Sequence, residues 1–308
     1  MKLRQLQCFC AVAETGFNIS RASSVLHATQ PAIGKQLRQL EEELGVDLLV
    51  RQGGRVLGLT DAGERALLWA RRTLQCSDNL RITVQESSGD TGGNIELATN
   101  HTHAKYVLVP AIVAFTRRFP KVRIGLQQGS PEQVAELVRD GKALAGISHV
   151  PPHLPKELVA VPFLSSRQLL CTPVGHPLLK EKELTLAKLA AYPLIVQSPA
   201  QVLGARVVGK FRDAGLQVNL AVQALDSDVK KAYVAAGLGI AIIPAFNYSA
   251  KRDRGLRVRD VDHLFGPTPS AVLLRRRSYL PRYVYDFFEQ LDPALERTRV
   301  ESLIFQDK

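Results

Sequence analysis

Between Thr29 and Gln39 the chain reads Thr-Gln-Pro-Ala-Ile-Gly-Lys-Gln-Leu-Arg-Gln. Ile33, Leu37, Leu40 and Leu44 fall at i, i+4, i+7 and i+11, the buried stripe expected of a helix. Gln30, Gly34, Lys35, Gln36, Arg38 and Gln39 then share the opposite face. Amides can read an adenine edge, and cations can meet guanine or phosphate. The chemistry on offer is recognition of a duplex, with no nucleophile or acid–base pair. Ser20, Thr29, Gln30, Pro31, Ala32, Lys35, Gln36 and Arg38 are the candidate DNA-binding positions, joined by Arg51 and Arg55, which flank Gln52-Gly53-Gly54 and are placed to touch phosphate. Glu41, Glu42 and Glu43 fall at the far end of the helix, away from that surface.

A second set of side chains follows a different rule. Asn100, Thr102 and His103, then Gln128, Gly129 and Ser130, then Ser148 and His149, and finally Gln197 and Ser198 each come at the end of a strand pattern. Ligands in open α/β sheets bind beyond the carboxyl ends of strands, and helix N-termini attract anions. Hydroxyls, amides and two histidines with no carboxylate among them describe a receptor for a small oxyanion or an acidic metabolite. Simple helix capping is the competing explanation of each residue taken singly. His101, His103 and His149 offer metal-ligating nitrogens, but no acidic residue is near them in sequence. No G-x-G-x-x-G after a strand, P-loop, G-x-S-x-G or H-E-x-x-H motif occurs. An enzyme is therefore not expected, and no cofactor.

Elements must hold these groups in place. Leu3, Leu6, Phe9, Val12 and Ala13 predict a helix over 2–14 that Gly16 ends. Asn18 is the expected N-cap of a second helix and Thr29 of the third, which has Pro31 in its first turn and Gly45 as its stop. Two short strands, 47–51 and 55–59, form a wing. A long helix from Thr60-Asp61 to about residue 86 carries Ala62, Ala66, Trp69, Thr73, Cys76, Leu80 and Thr83 at alternating steps of 4 and 3. That spacing is a coiled-coil seam too polar for an isolated zipper, which fits a helix that pairs two subunits. Residues 87–93 read as a hinge. Beyond it, strands at 95–99, 122–128, 143–148, 194–196, 218–223, 239–243 and 270–274 alternate with helices, including one over 104–119 that tolerates Pro110. This is α/β patterning.

The expected organisation is a winged helix-turn-helix over 1–59 with its reading motif at 18–38, a dimerising helix over 60–88, and a two-lobed α/β effector-binding domain over 93–308 like a periplasmic binding protein. Its first lobe would take 93–163 and 268–308, its second 164–267, with two crossings making a hinged cleft.

Composition agrees without locating the site. Net charge is +11, yet residues 1–60 carry seven Lys and Arg against five Asp and Glu, and most of the excess lies in 91–249. No run of about 20 apolar residues is present for a membrane span, and the N-terminus lacks a signal-peptide pattern, so the expected location is cytoplasmic. Cys8, Cys10, Cys76 and Cys171 have no metal-ligand spacing.

The sequence resembles the LysR-type transcriptional regulators. The matching residues are Leu3-Arg4-Gln5-Leu6, Ala22 through Leu26-His27, Thr29-Gln30-Pro31-Ala32-Ile33, Leu40-Glu41 through Leu44-Gly45, Leu48-Leu49-Val50-Arg51 and Leu59-Thr60-Asp61-Ala62-Gly63-Glu64. Gly34 stands where the family usually has serine. Ala98-Thr99-Asn100-His101-Thr102-His103-Ala104-Lys105-Tyr106, Gln128-Gly129-Ser130-Pro131, Thr172-Pro173, Asp226 through Asp228-Val229 and Gly237-Leu238-Gly239 are similar to the CysB-like branch, with Cbl and SsuR. The resemblance implies a regulator of sulfur assimilation or sulfonate use that senses a sulfate-like anion or acetylated serine. It also implies a homodimer or homotetramer on double-stranded promoter DNA. Thr102 keeps that branch's sulfate-binding residue, whereas Asn100 and His103 replace threonine and glutamine, and His149 and Val202 replace threonines. The pocket is related but retuned. Two rivals stand beside this reading: a solute-binding protein with a fused helical cap, and a regulator of an unrelated pathway sensing another small acid.

Overall fold

A computed structural model of the chain describes residues 1–87, 92–198, 202–224 and 226–306. Residues 88–91, within the expected hinge, lie outside the described residues, as does the side chain of Val202. Contacts divide the chain into an N-terminal unit, chiefly 1–91, and a second unit that takes most of the remainder.

The N-terminal unit packs three helices around Leu6, Phe9, Val12, Ala22, Ile33, Leu37 and Leu40. Helix α1 is Leu3–Glu14 and α2 is Ile19–Val25, whose N-cap Asn18 accepts from Arg21 N at 3.0 Å. Helix α3 is Gln30–Leu44, opened by Thr29 and Pro31 and stopped at Gly45. One stripe position differs from expectation. Leu44 is exposed, and Glu41 is buried in its place. The reason is local: the chain doubles back after Gly45, and the Glu41 carboxylate accepts the amides of Leu48 and Leu49 at 2.9 and 3.1 Å.

Strands β1 (Leu49–Gln52) and β2 (Arg55–Leu59) pair antiparallel. Gly53 and Gly54 both sit at positive φ, which a two-residue hairpin of matching twist demands. Helix α4, Asp61–Ser87, is about 40 Å long at 1.5 Å per residue. It packs so closely on the segment leading into β1 that a Cβ on Gly63 would lie 2.0 Å from the Leu48 carbonyl oxygen. Leu67 and Ala70 anchor its first turns in the core, and Arg71 pairs with Glu14 of α1 at 3.3 Å.

The second unit has two five-stranded sheets. The first runs β4-β3-β5-β12-β6, with β3 (Gly93–Thr99), β4 (Val122–Gln128) and β5 (Ala145–His149) parallel and β12 (Thr268–Arg275) and β6 (Leu158–Ser166) antiparallel to their neighbours. Between β3 and β4 lie α5 (His101–His103), a single π turn over Ala104–Leu108 and α6 (Val109–Arg118). Helix α7 is Pro131–Arg139, and Ser130 and Gln133 make reciprocal capping bonds at its start.

The second sheet runs β11-β7-β10-β8-β9. Its strands are β7 (Gln168–Pro173), β8 (Leu194–Gln197), β9 (Leu220–Ala224), β10 (Ile240–Pro244) and β11 (Leu256–Asp260). Its helices are α8 (Leu186–Ala190), α9 (Val202–Asp213), α10 (Ser227–Ala235) and α11 (Asp262–Phe265). After β12, α12 (Arg282–Leu291) and α13 (Arg297–Ile304) pack back on the first lobe.

Strands β6, β7 and β11 are absent from the sequence reading. Pro162 and Ser165-Ser166-Arg167-Gln168 interrupt the apolar pattern over 158–173, and the edge position of β6 is what lets it hold Pro162. The chain leaves the first sheet at Ser166, joins the second at Gln168 and returns by Thr268. The two crossings are tied together where Gln168 Nε2 donates to Thr268 Oγ1 at 2.8 Å.

Candidate functional site

On α3 the polar face stands free of the core. Gln30 Nε2 donates to Ser20 Oγ of α2 at 2.6 Å, which sets the start of α3 against its neighbour. Lys35 is exposed and Gln36 half-buried, and their side chains have no hydrogen-bond partner among the described residues. Arg55 on the wing is equally uncommitted. Thr29, Pro31 and Ala32 are exposed around the helix opening, and Arg38 reaches back to the Gly34 carbonyl at 3.4 Å. A Cβ at Gly34 would meet nothing nearer than 3.9 Å, so the missing side chain is not a packing demand.

Arg51 differs from its neighbours. Its fork closes on Glu41, Nη1 to Oε1 at 3.0 Å and Nη2 to Oε2 at 2.6 Å. Burial would push the Glu41 carboxyl up, but the guanidinium and the Leu48 and Leu49 amides outweigh it and hold the pKa below the usual carboxylate range. The expected phosphate contact therefore meets a prior commitment: Arg51 ties the wing to α3.

The second unit holds a cleft of about 430 Å³ between its lobes. Asn100, Thr102, Gln128, Gly129, Ser130, His149 and Gln197 of the expected set line it. Thr102 and Gln128 make no side-chain hydrogen bond among the described residues, so both offer donors to a ligand. Gly129 is needed because α7 folds back over it, where a Cβ would lie 2.8 Å from that of Gln133.

Among the described residues, three of the expected set are not among those lining the cleft, and the side chain of Val202 lies outside the described residues. His103 is fully buried behind it. Its backbone N and Nδ1 both donate to Asn100 Oδ1 at 2.9 Å, which leaves Nε2 to accept from Ser270 Oγ at 2.7 Å. Ser148 is fully buried and its hydroxyl turns to the His149 carbonyl at 2.7 Å. Ser198 is half-buried beside Gln197. The causes differ: His103 is carried inward by the turn of α5, whereas Ser148 sits on β5, a central strand buried at every position. His149 keeps its place at the wall, with Nδ1 donating to the Pro269 carbonyl at 3.1 Å. Burial pushes its pKa down to about 4, despite that carbonyl, and Arg206 and Lys230 push the same way. Burial, with His149 beside it, also depresses His103. Both rings are neutral near pH 7.

The reading of a pocket without carboxylates is corrected by Asp226, which lines the cleft. Its Oδ1 is turned to the amides of Asp228 and Val229 at the start of α10. His101, Asp226 and Asp228 bring ligand atoms within 4.8 Å of one another, a meeting of residues distant in sequence. Cations already occupy it. Asp228 accepts from the Tyr106 hydroxyl and from Lys105 Nζ at 2.9 Å, and Lys231 Nζ lies 3.3 Å away. Burial would raise the Asp228 pKa, but these three partners hold it far below the carboxylate range. The cluster is an ion-pair network that fastens the π turn of lobe one to α10 of lobe two.

Comparison with known proteins decides the family. Residues 3–64 match the bacterial regulatory helix-turn-helix protein, lysR family, and residues 88–296 match the LysR substrate binding domain. The chain belongs to the LysR family of transcriptional regulators. It is 37% identical over 304 residues to the HTH-type transcriptional regulator CysB of Burkholderia cenocepacia, covering 99% of this chain and 97% of the relative. It is 34% identical to SsuR of the same species, covering 99% of each chain. Among solved structures, the cofactor-binding domain of the Cbl regulator superposes with a TM-score of 0.66 at 33% identity, covering 71% of this chain and 96% of that one. Full-length CbnR complexed with its target DNA superposes with a TM-score of 0.65 at 26% identity, covering 96% and 100%. This LysR-type chain is a DNA-binding transcription regulator with an effector-binding domain, and not an enzyme.

Proposed function

We propose that this regulator responds to a small anionic effector, of the sulfate or acidic-metabolite class, and controls genes of sulfur assimilation or sulfonate use from the cytoplasm. The observation that carries the reading is the pair of uncommitted donors, Thr102 and Gln128, in the interlobe cleft. Similarity to CysB and SsuR over nearly the whole chain supports the pathway. The replacement of threonines by His149 and Val202 favours, as a second reading, another small acid in the same cleft.

On DNA, the exposed side chains of α3 enter a major groove while Arg55 meets phosphate, and two copies paired through α4 read paired half-sites. Binding of sulfate to the full-length chain, followed by thermal shift, tests the effector site. The shift should be lost in Thr102→Ala. A full shift in that variant moves the site elsewhere. Lys35→Ala and Arg55→Ala should each flatten the dependence of log affinity on log salt by roughly one unit if they meet phosphate. Unchanged slopes in both would remove them from the DNA face.

A further inference from the structure

A second, smaller cavity shares the lobe-two wall of the cleft. Gln197, Leu203 and Pro244 line both, and the smaller one has about 20 Å³, room for about one water-sized group. Arg206, Lys230 and Thr268 also line the smaller cavity. Lys230 is 5% exposed, and among the described residues its Nζ has one partner, the Ile242 carbonyl at 2.7 Å. An ammonium carries three N–H donors, so two are left over. Arg206 donates to the Phe265 and Pro267 carbonyls and the Thr268 hydroxyl at 2.6, 2.9 and 3.3 Å. Neither cation has an ion pair among the described residues. The nearest acid on α10, Asp226, spends one oxygen on backbone amides. A buried charge without a counter-ion is costly, and chains retain one where a ligand supplies the partner.

We propose that Lys230 is an anion-receiving group of the effector site, and that the effector is an elongated molecule with two acidic ends. One oxyanion sits with Thr102 and Gln128 in the cleft. One oxygen of the other end, a carboxylate, passes Gln197 into the small cavity and meets the Lys230 ammonium with Arg206 beside it. The proposal rests on the reading of the cleft as the effector site. It names an organic dianion where that reading alone is content with sulfate. Burial pushes the Lys230 pKa down to about 8, with Cys171 and Asp226 pulling the other way. The ammonium is therefore present at neutral pH and is lost just above it, so the second contact should carry its own pH signature.

Titration calorimetry on the full-length chain tests this. The probes are alkanesulfonates of one to four methylenes with and without a terminal carboxylate, and inorganic sulfate as a reference. At pH 7 at least one carboxylated member should bind tenfold or more tighter than its uncharged-ended counterpart. That ratio should fall to threefold or less in Lys230→Met and Lys230→Gln. In the wild type it should also fall between pH 7 and pH 9.5, where both probes keep their charges. A ratio near one for every wild-type pair, or a ratio that survives both substitutions or the rise in pH, overturns the proposal while leaving sulfate binding as evidence for the cleft. Failure of the wild type to bind sulfate or any sulfonate would sink the cleft reading and this one together.

Discussion

Glu41 shows how one residue can hold two elements in register. Its carboxylate takes two backbone amides of the segment leading into β1 and both arms of the Arg51 fork. Hydrogen bonds to charged groups contribute about 1.5–3 kcal/mol each to a buried partner. Because the folded pKa of Glu41 is depressed, its contribution is complete above the ordinary value of 4.5 and drains away as pH falls through the lower folded value. Glu41→Gln should therefore cost roughly 2 kcal/mol in urea unfolding at neutral pH, and the gap to the wild type should shrink at pH 3.5. A gap of equal size at both pH values would contradict the assignment. Sequence reading placed Glu41 with Glu42 and Glu43 at the far end of α3, away from the DNA surface, since helical periodicity ranks a glutamate as polar and cannot show that donors from three residues wait below it.

At the scale of elements, α4 serves two neighbours. Its first turn packs on Leu48, just before β1, and the 2.0 Å separation at Gly63 leaves no room for a methyl group against backbone. Gly63→Ala should destabilise the N-terminal unit by about 2 kcal/mol or more, as overpacking against an unyielding neighbour does. A melting temperature equal to the wild type would refute that. On the same helix Ala62 and Ala66 are drawn halfway into the core, while Trp69, Leu80 and Val84 are 64%, 66% and 64% exposed at steps of 11 and 4, which keep them on one face. Large apolar groups in a row on one helix fit a second copy of the same helix. Leu80→Glu should convert a dimer into monomers in sedimentation at micromolar concentration. A wild-type chain that is itself monomeric there would remove the seam as an interface.

For the molecule as a whole, the lobes of the effector domain meet at a network that no local pattern announces. Tyr106 and Lys105 come from the π turn after β3, while Asp228 and Lys231 come from α10. Lys231 Nζ also donates to the Tyr106 hydroxyl at 2.9 Å and to Asp253 at 3.0 Å, and Arg252 lies over the Tyr106 ring at 4.7 Å. A cleft closed by such a clasp opens only when it lets go. Tyr106→Phe removes the hydroxyl that joins Asp228 to Lys231. Amide exchange in 101–108 and 227–235 should then speed up about tenfold without effector, equivalent to roughly 1.4 kcal/mol of local stability. Unchanged exchange in both segments would show that the clasp does not restrain the lobes.

Much of this was legible in residue order alone, because caps, stripes and glycine stops act over three or four positions. Asn18 and Thr29 open their helices, the Ser130–Gln133 box opens α7, and Gly53-Gly54 turns the wing as their types require. The polar face of α3 and the strand-end donors Thr102 and Gln128 followed from the same short-range rules. Tertiary structure alone decided which candidates reach the cleft and which sink behind it. His103 and Ser148 are buried, Asp226 arrives at the wall from another lobe, Arg51 finds Glu41, and Lys230 is enclosed beneath β10. Those outcomes depend on partners 10 to 167 positions apart in the chain. Periodicity assigns a side chain to a face, but what the face meets is set only when distant elements pack.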